Sequence, residues 1–137
     1  MYSRARTYYM IRKATLNDIP GILELVNANL GTLLPRTSSD YEELIETTYV
    51  CEKDGRIAGS CVLEIYSPKI AEIRSFVVHK EYRSQGVGKA LIAEAVAEAR
   101  KLNIREIMVV TSAREYFEKQ NFGACLNEKF ALFWNGR

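Results

Sequence analysis

Between Ile70 and Val110 one pattern limits the possible folds more than any other in the chain. Ile70 to Val78 is a β-prone run, a glycine-containing turn follows, and from Val87 to Leu102 apolar residues recur on one helical face: Leu91, Ile92, Ala95, Val96, Ala99 and Leu102. Glu106 to Val110 is again a compact apolar strand. A strand, a helix and a strand in direct succession imply a parallel crossover, with the helix packed on the sheet.

The segments before and after fit round that unit. Tyr8 to Arg12 is a short β-prone run. Thr15 and Asp18 offer either a capping box or Asp18 as N-cap, with Pro20 early in the helix that follows. Ile19, Ile22, Leu23, Val26 and Leu30 form its apolar stripe, and Gly31 is the expected stop. Residues 32–39 read as a loop, and Asp40 is expected to cap a short second helix through about Glu46. Thr48 to Lys53 and Arg56 to Tyr66 are β-rich runs joined by Asp54-Gly55, a dipeptide suited to the two positive φ angles of a type I′ hairpin turn. Ala113 to Gln120 is expected to be helical and Phe130 to Trp134 a closing strand. The order β-α-α-β-β-β-α-β-α-β is that of a mixed α/β fold with an antiparallel front half.

Composition narrows the class without naming a function. A chain of 137 residues, 47% hydrophobic, fits a single domain spanning residues 1–137. Nineteen Lys and Arg against 17 Asp and Glu, a net charge of +2, describe an ordinary folded surface rather than a binder of nucleic acid or membrane. The three cysteines, Cys51, Cys61 and Cys125, contain no CxxC pair, which argues against a disulfide framework and a four-cysteine zinc site. His79 is the single histidine, so no metal site built on histidines is expected; its place after a strand favours a surface role over catalysis. The first ten residues hold no uninterrupted apolar stretch, and the chain is expected to be soluble and cytoplasmic.

The turn itself carries chemistry. In Arg83-Ser84-Gln85-Gly86-Val87-Gly88-Lys89 the glycines sit where strand gives way to helix. They let backbone approach a diphosphate without Cβ obstruction, and the free N–H groups of the opening helical turn point at its oxygens, aided by the helix dipole. A tight turn that merely starts a helix uses the same residues. Neither the dinucleotide fingerprint nor the P-loop spacing is present.

Arg83-x-x-Gly86-x-Gly88 after a strand resembles the signature of the GNAT acetyltransferases, Arg/Gln-x-x-Gly-x-Gly/Ala. The resemblance extends over nearly the whole chain, through the first strand and helix, the Asp54-Gly55 hairpin and the helix with Ala113, Tyr116 and Phe117. It implies a mostly antiparallel central sheet of six to seven strands flanked by about four helices, and acetyl-CoA as donor for acetyl transfer to a primary amine. By the same resemblance, backbone groups of Phe76, Val77 and Val78 bind the pantetheine arm like an added strand, the amides of Arg83, Ser84, Gln85, Gly86, Val87, Gly88 and Lys89 hold the pyrophosphate, and Phe117 also belongs to the cofactor-binding set. Within the superfamily, Leu33-Leu34-Pro35-Arg36, Ala71-Glu72-Ile73-Arg74-Ser75, Val110-Thr111 and Tyr116-Phe117-Glu118 resemble the acetyltransferase domains of N-acetylglutamate synthases. That branch implies an amino acid such as glutamate as acceptor. A protein acetyltransferase acting on lysines or N-termini, and a silent acetyl-CoA-binding sensor, are the alternatives.

Strand alternation puts Glu72, Arg74, Phe76 and Val78 on one face and Ala71, Ile73, Ser75 and Val77 on the other. An attacking ammonium must lose a proton, so a carboxylate at Glu72 is apt as a general base, a role that a glutamate at this place often has in the resembling family. Its alternative is an exposed glutamate paired across the sheet or with Lys69. Arg74 either receives a substrate carboxylate or neutralises Glu72, and Arg36 either does the same or is a solvated loop arginine. The position at which many family members place a proton-donating tyrosine is Phe117, which has no proton to give. Tyr116 is expected to point about 100° away. This leaves water, Ser112 or an unassisted thiolate. Asn121 replaces the usual glycine before Phe122 and tolerates the left-handed conformation. The apolar closing strand either pairs between subunits in a homodimer or lies inside the monomer's sheet.

Overall fold

A computed structural model of the protein describes residues 8–31, 33–126 and 129–136. Its elements run β1 (Met10–Lys13), α1 (Ile19–Asn27), α2 (Ser38–Glu43), β2 (Thr48–Lys53), β3 (Arg56–Ile65), β4 (Ile70–Val78), α3 (Val87–Lys101), β5 (Glu106–Met108), α4 (Arg114–Glu118), β6 (Cys125–Leu126) and β7 (Lys129–Phe130). The first five strands make one sheet in chain order, antiparallel except for the parallel pair β4-β5 that α3 connects. Asp54 and Gly55, with φ of 54° and 71°, make the β2-β3 turn with both angles positive.

Local chemistry sets the helix ends, in two places differently from the sequence reading. Thr15 and Asp18 do form a capping box, around a single 3-10 turn that leads into α1. That helix stops at Asn27, short of Gly31, because the Asn29 side chain donates to the Leu25 carbonyl at 2.8 Å and ends the ladder; Leu30 is consequently exposed. The second helix starts at Ser38, with Thr37 rather than Asp40 as its cap. The Thr37 N–H donates to Asp40 at 2.7 Å while the Asp40 N–H donates back to the Thr37 hydroxyl at 3.2 Å, a reciprocal box that places the helix start three residues earlier.

The sheet is covered on both faces. Helix α3 buries Leu91, Ile92, Ala95 and Ala99 against Tyr49, Cys51, Cys61, Leu63, Ala71 and Ile73. Helices α1 and α2 bury Ile22, Val26 and Tyr41 against Val50, Val62 and Val77. Each methylene so removed from water contributes about 0.8 kcal/mol, which is why the alternating strand pattern and the helical stripes were legible at all.

The expected single sheet of six to seven strands is corrected to one of five among the described residues. β6 and β7 are a separate two-stranded hairpin, and the strand expected over Phe130 to Trp134 is reduced to Lys129–Phe130, with Leu132, Phe133 and Trp134 exposed. No helix among the described residues is long and apolar enough to cross a membrane.

Candidate active site

The site arises from a defect in β4. Along the β3-β4 ladder Ser60 pairs with Val77 and Val62 with Arg74, so two steps on β3 face three on β4. The extra residue is taken up at Ser75, whose φ of 51° is left-handed. A bulge inverts the alternation beyond it. Ala71 and Ile73 therefore share the α3 face with Phe76 and Val78, while Val77 turns to the α1 face, which corrects the strict two-face expectation.

The bulge also coincides with a parting of strands. β4 pairs with β5 only at Ile70, Ala71 and Glu72, and β5 ends at Met108. From Arg74 onward β4 keeps β3 on one side and has no strand on the other, so its edge opens into two adjoining clefts. One, of about 470 Å³, is lined by Phe76 to Val78, Arg83, Ser84 and Gly86 to Lys89. The other, of about 720 Å³, is walled by Arg36, Glu72, Arg74 and Ser75 on one side and Val109 to Ser112 on the other. Phe76, Ala113 and Tyr116 border both.

The first cleft has the features a diphosphate and an extended pantetheine arm require. Gly86, at φ 85°, is the N-cap of α3, and the first intrahelical bond runs from Ala90 N–H to Gly86 carbonyl at 3.0 Å. The N–H groups of Val87, Gly88 and Lys89 are thus left without helical acceptors beside the positive end of the dipole. A Cβ at Gly88 would lie 2.8 Å from the Phe76 ring and collide with the Tyr116 hydroxyl, so only glycine lets these groups close together. Arg83 lies along the rim, donating to the Val78 carbonyl and to Asn29 at 3.3 Å each. The Gln85 side chain is turned away, accepting a hydrogen bond from Lys53 and donating to the Glu81 carbonyl. His79 is spent as a cap: its Nδ1 accepts from the Glu81 N–H at 3.1 Å.

On the wall of the second cleft the sequence-chosen charges do meet. Glu72 is buried, and its Oε1 accepts a hydrogen bond from the Tyr66 hydroxyl and lies 3.8 Å from Arg74 Nε. Lys69 is not its partner, and the residue across the sheet is another carboxylate, Glu64, which corrects the alternative expected for it. Arg74 Nη1 donates to Glu64 at 3.0 Å. Arg36 is not a solvated loop residue: its side chain is 12% exposed, and its Nε donates to the Ser75 hydroxyl at 2.6 Å. Burial and the nearby Glu72 push the Tyr66 hydroxyl up to about 12, so it stays protonated as a donor.

Sequence reasoning missed Tyr66 and Glu64. The signal was present in the alternation of β3 continued by one residue, which sends Val62, Glu64 and Tyr66 to one face, but matching it to Glu72 required the register across a four-residue connection. The aromatic pair on α4 also differs from expectation. Phe117 is buried against Phe76 and Phe122, with ring centroids 5.8 and 5.5 Å away, while Tyr116 faces the clefts instead of turning from them. Burial raises the Tyr116 hydroxyl above the ordinary tyrosine value. Asn121, at φ 69°, closes the helix in the left-handed conformation foreseen for it. Cys51 and Cys61 are free and buried, and burial pushes their thiols up to about 11 and about 12, which makes them packing groups, not nucleophiles. Among the described residues no group of His, Cys, Asp and Glu could hold a metal ion.

Comparison with known proteins agrees with this geometry. An N-acetyltransferase of Chlorobaculum tepidum, CT2212, is 30% identical over 122 residues, 88% of this chain and 79% of its own length. The amino-acid acetyltransferase of Salmonella typhi is 33% identical over 116 residues, but the chain spans only 26% of that protein. Among solved structures, Rv2747 from Mycobacterium tuberculosis in complex with CoA superposes with a TM-score of 0.81 at 25% identity, over 85% of this chain and 73% of that one. N-acetylglutamate synthase from Neisseria gonorrhoeae, complexed with coenzyme A and N-acetyl-glutamate, gives 0.77 at 27% identity over 82% of this chain and 28% of that one. The acetyltransferase (GNAT) family itself matches residues 20–122. Since that match takes in the bulged strand, the glycine turn and the helix it opens, the chain belongs to the acetyltransferase (GNAT) family.

Proposed function

We propose that the protein transfers the acetyl group of acetyl-CoA to the α-amine of an amino acid held in the larger cleft. Acetyl transfer to an amine is the chemistry of the family, and the amino-acid acceptor is supported by one observation above all. Glu72, Arg36 and Arg74 line the same cleft, and that cleft meets the coenzyme cleft at Phe76 and Tyr116. Coenzyme A fits the smaller cleft through residues already present: the open amides of Val87 to Lys89 and the backbone edge of Phe76 to Val78, on which an extended arm adds like a strand.

Glu72 then acts as the general base. Its Oε1 is fixed by Tyr66, while Oε2 has no protein partner among the described residues and is the atom available to take a proton from the ammonium, directly or through water. The amine lone pair adds to the thioester carbonyl, the C–S bond breaks and the thiolate departs. Of the hydroxyls near the junction, Tyr116 borders both clefts and Ser112 only the larger; Tyr116, protonated at neutral pH, is the better-placed donor to the sulfur. Arg36 and Arg74 orient the acceptor through its α-carboxylate.

Free-thiol release from acetyl-CoA, measured with amino acids, polyamines and peptides, tests the proposal. Amino acids are expected to be turned over, and Glu72→Gln is expected to lower kcat by about 10²–10⁴-fold with little change in CoA affinity. Turnover confined to peptides would remove the amino-acid acceptor. CoA binding without turnover of any amine would identify a sensor.

A further inference from the structure

The charges around the larger cleft do not add up to a site for two carboxylates. Among the described residues its lining offers two cations, Arg36 and Arg74, and both are already engaged from behind by Glu64, which is not itself part of the lining. Glu64 Oε2 accepts from Arg74 Nη1 at 3.0 Å and lies 3.5 Å from Arg36 Nη2. Arg36 Nη2 is out of reach of solvent and Nε is bonded to Ser75, so only Nη1 of that guanidinium remains for a ligand. Arg74 also lies 3.8 Å from Glu72. Glu64 therefore matches one of the two guanidinium charges before any ligand arrives, and Glu72 is the carboxylate that meets the incoming ammonium. Away from this wall the cleft is lined by Leu33, Leu34, Met108, Val109, Val110 and Phe133, which offer a side chain contact but no counter-charge.

We propose that Glu64 sets the charge of the acceptor: by neutralising one of two arginines it leaves room for one α-carboxylate, so the substrate is an amino acid whose own side chain is uncharged. The inference rests on the amino-acid reading above and departs from glutamate as the acceptor. Its physical basis is the cost of bringing a second carboxylate into a partly buried cleft without a cation to meet it. Glu64 is a positioning residue, acting through Arg36 and Arg74 without touching the acceptor.

Glutamine and glutamate are matched in size and differ by one charge, which makes them the probes. Thiol release at saturating acetyl-CoA is measured with each for the full chain, for Glu64→Gln and for Glu64→Asp. The expected result is a wild-type kcat/KM about tenfold or more higher for glutamine, a shift of that ratio toward glutamate by about tenfold in Glu64→Gln, carried by KM, and a wild-type ratio in Glu64→Asp. A wild-type preference for glutamate, or a ratio that Glu64→Gln leaves unmoved while its CoA titration shows a folded protein, would overturn the proposal. Release of thiol with polyamines or peptides and with neither amino acid would instead overturn the amino-acid reading on which it stands.

Discussion

A methyl group at position 88 would meet the Phe76 ring at 2.8 Å and Val78 at 3.4 Å, and would collide with the Tyr116 hydroxyl. Phe76 and Tyr116 border both clefts, so the single missing Cβ links the start of α3 to the boundary between them. Gly88→Ala is expected to weaken CoA binding by about tenfold or more, because the displaced Tyr116 and Phe76 enter the space of the pantetheine arm; isothermal calorimetry measures it. Unchanged affinity would mean that Tyr116 swings aside without entering that space. At this scale the turn at Gly86 and Gly88 was legible, since it is set by neighbouring residues. Ser75 was not. Its left-handed φ of 51° is uncommon for serine and is set by the mismatch between β3 and β4, a property of two strands together. Arg36 was left open for the same reason: only the fold brings it 2.6 Å from a residue 39 positions away.

At the level of elements, the sheet and the long helix meet at Gly59. A Cβ there would lie 2.9 Å from both Leu91 and Val87 on α3 and 3.1 Å from the Val77 carbonyl on β4, so the helix packs directly against strand backbone. Gly59→Ala is expected to cost about 1–3 kcal/mol in denaturant unfolding, through overpacking at a site with no room to relax toward the carbonyl. Wild-type stability in that variant would show that α3 can shift outward. The start of α2 illustrates how a correct motif yields a wrong boundary. Asp40 was recognised as a capping group, but its partner Thr37 turns it into the third residue of a capping box, moving the helix start to Ser38. Strand β5 was read two residues too long for a different reason: Val109 and Val110 are apolar enough for a strand, yet β4 has already bent away from them at the bulge.

For the molecule as a whole, burial of ionisable groups in the α3 face of the sheet gives stability a pH dependence on the alkaline side. Cys61 is raised from 9.0 to about 12 and Cys51 from 9.0 to about 11, both by burial, and Tyr49 is raised as well. A folded value above the unfolded one means that the native state holds its proton longer. The stabilisation is therefore complete below about pH 9 and is lost as pH rises toward the folded values, at about 1.4 kcal/mol per pH unit for each thiol. Melting temperatures followed by calorimetry under reducing conditions are expected to fall from about pH 9 upward, less steeply in Cys61→Ala. A flat profile to pH 11 would contradict the burial of both thiols. By itself the sequence determined the family, the element order and the glycine turn, because periodicity and turn chemistry are properties of neighbouring residues. The tertiary structure decided the bulge, the parting of β4 from β5, and the gathering of Arg36, Glu64, Tyr66 and Arg74 about Glu72. Those depend on how strands of unequal step are laid side by side, and no stretch of one strand records the register of the next.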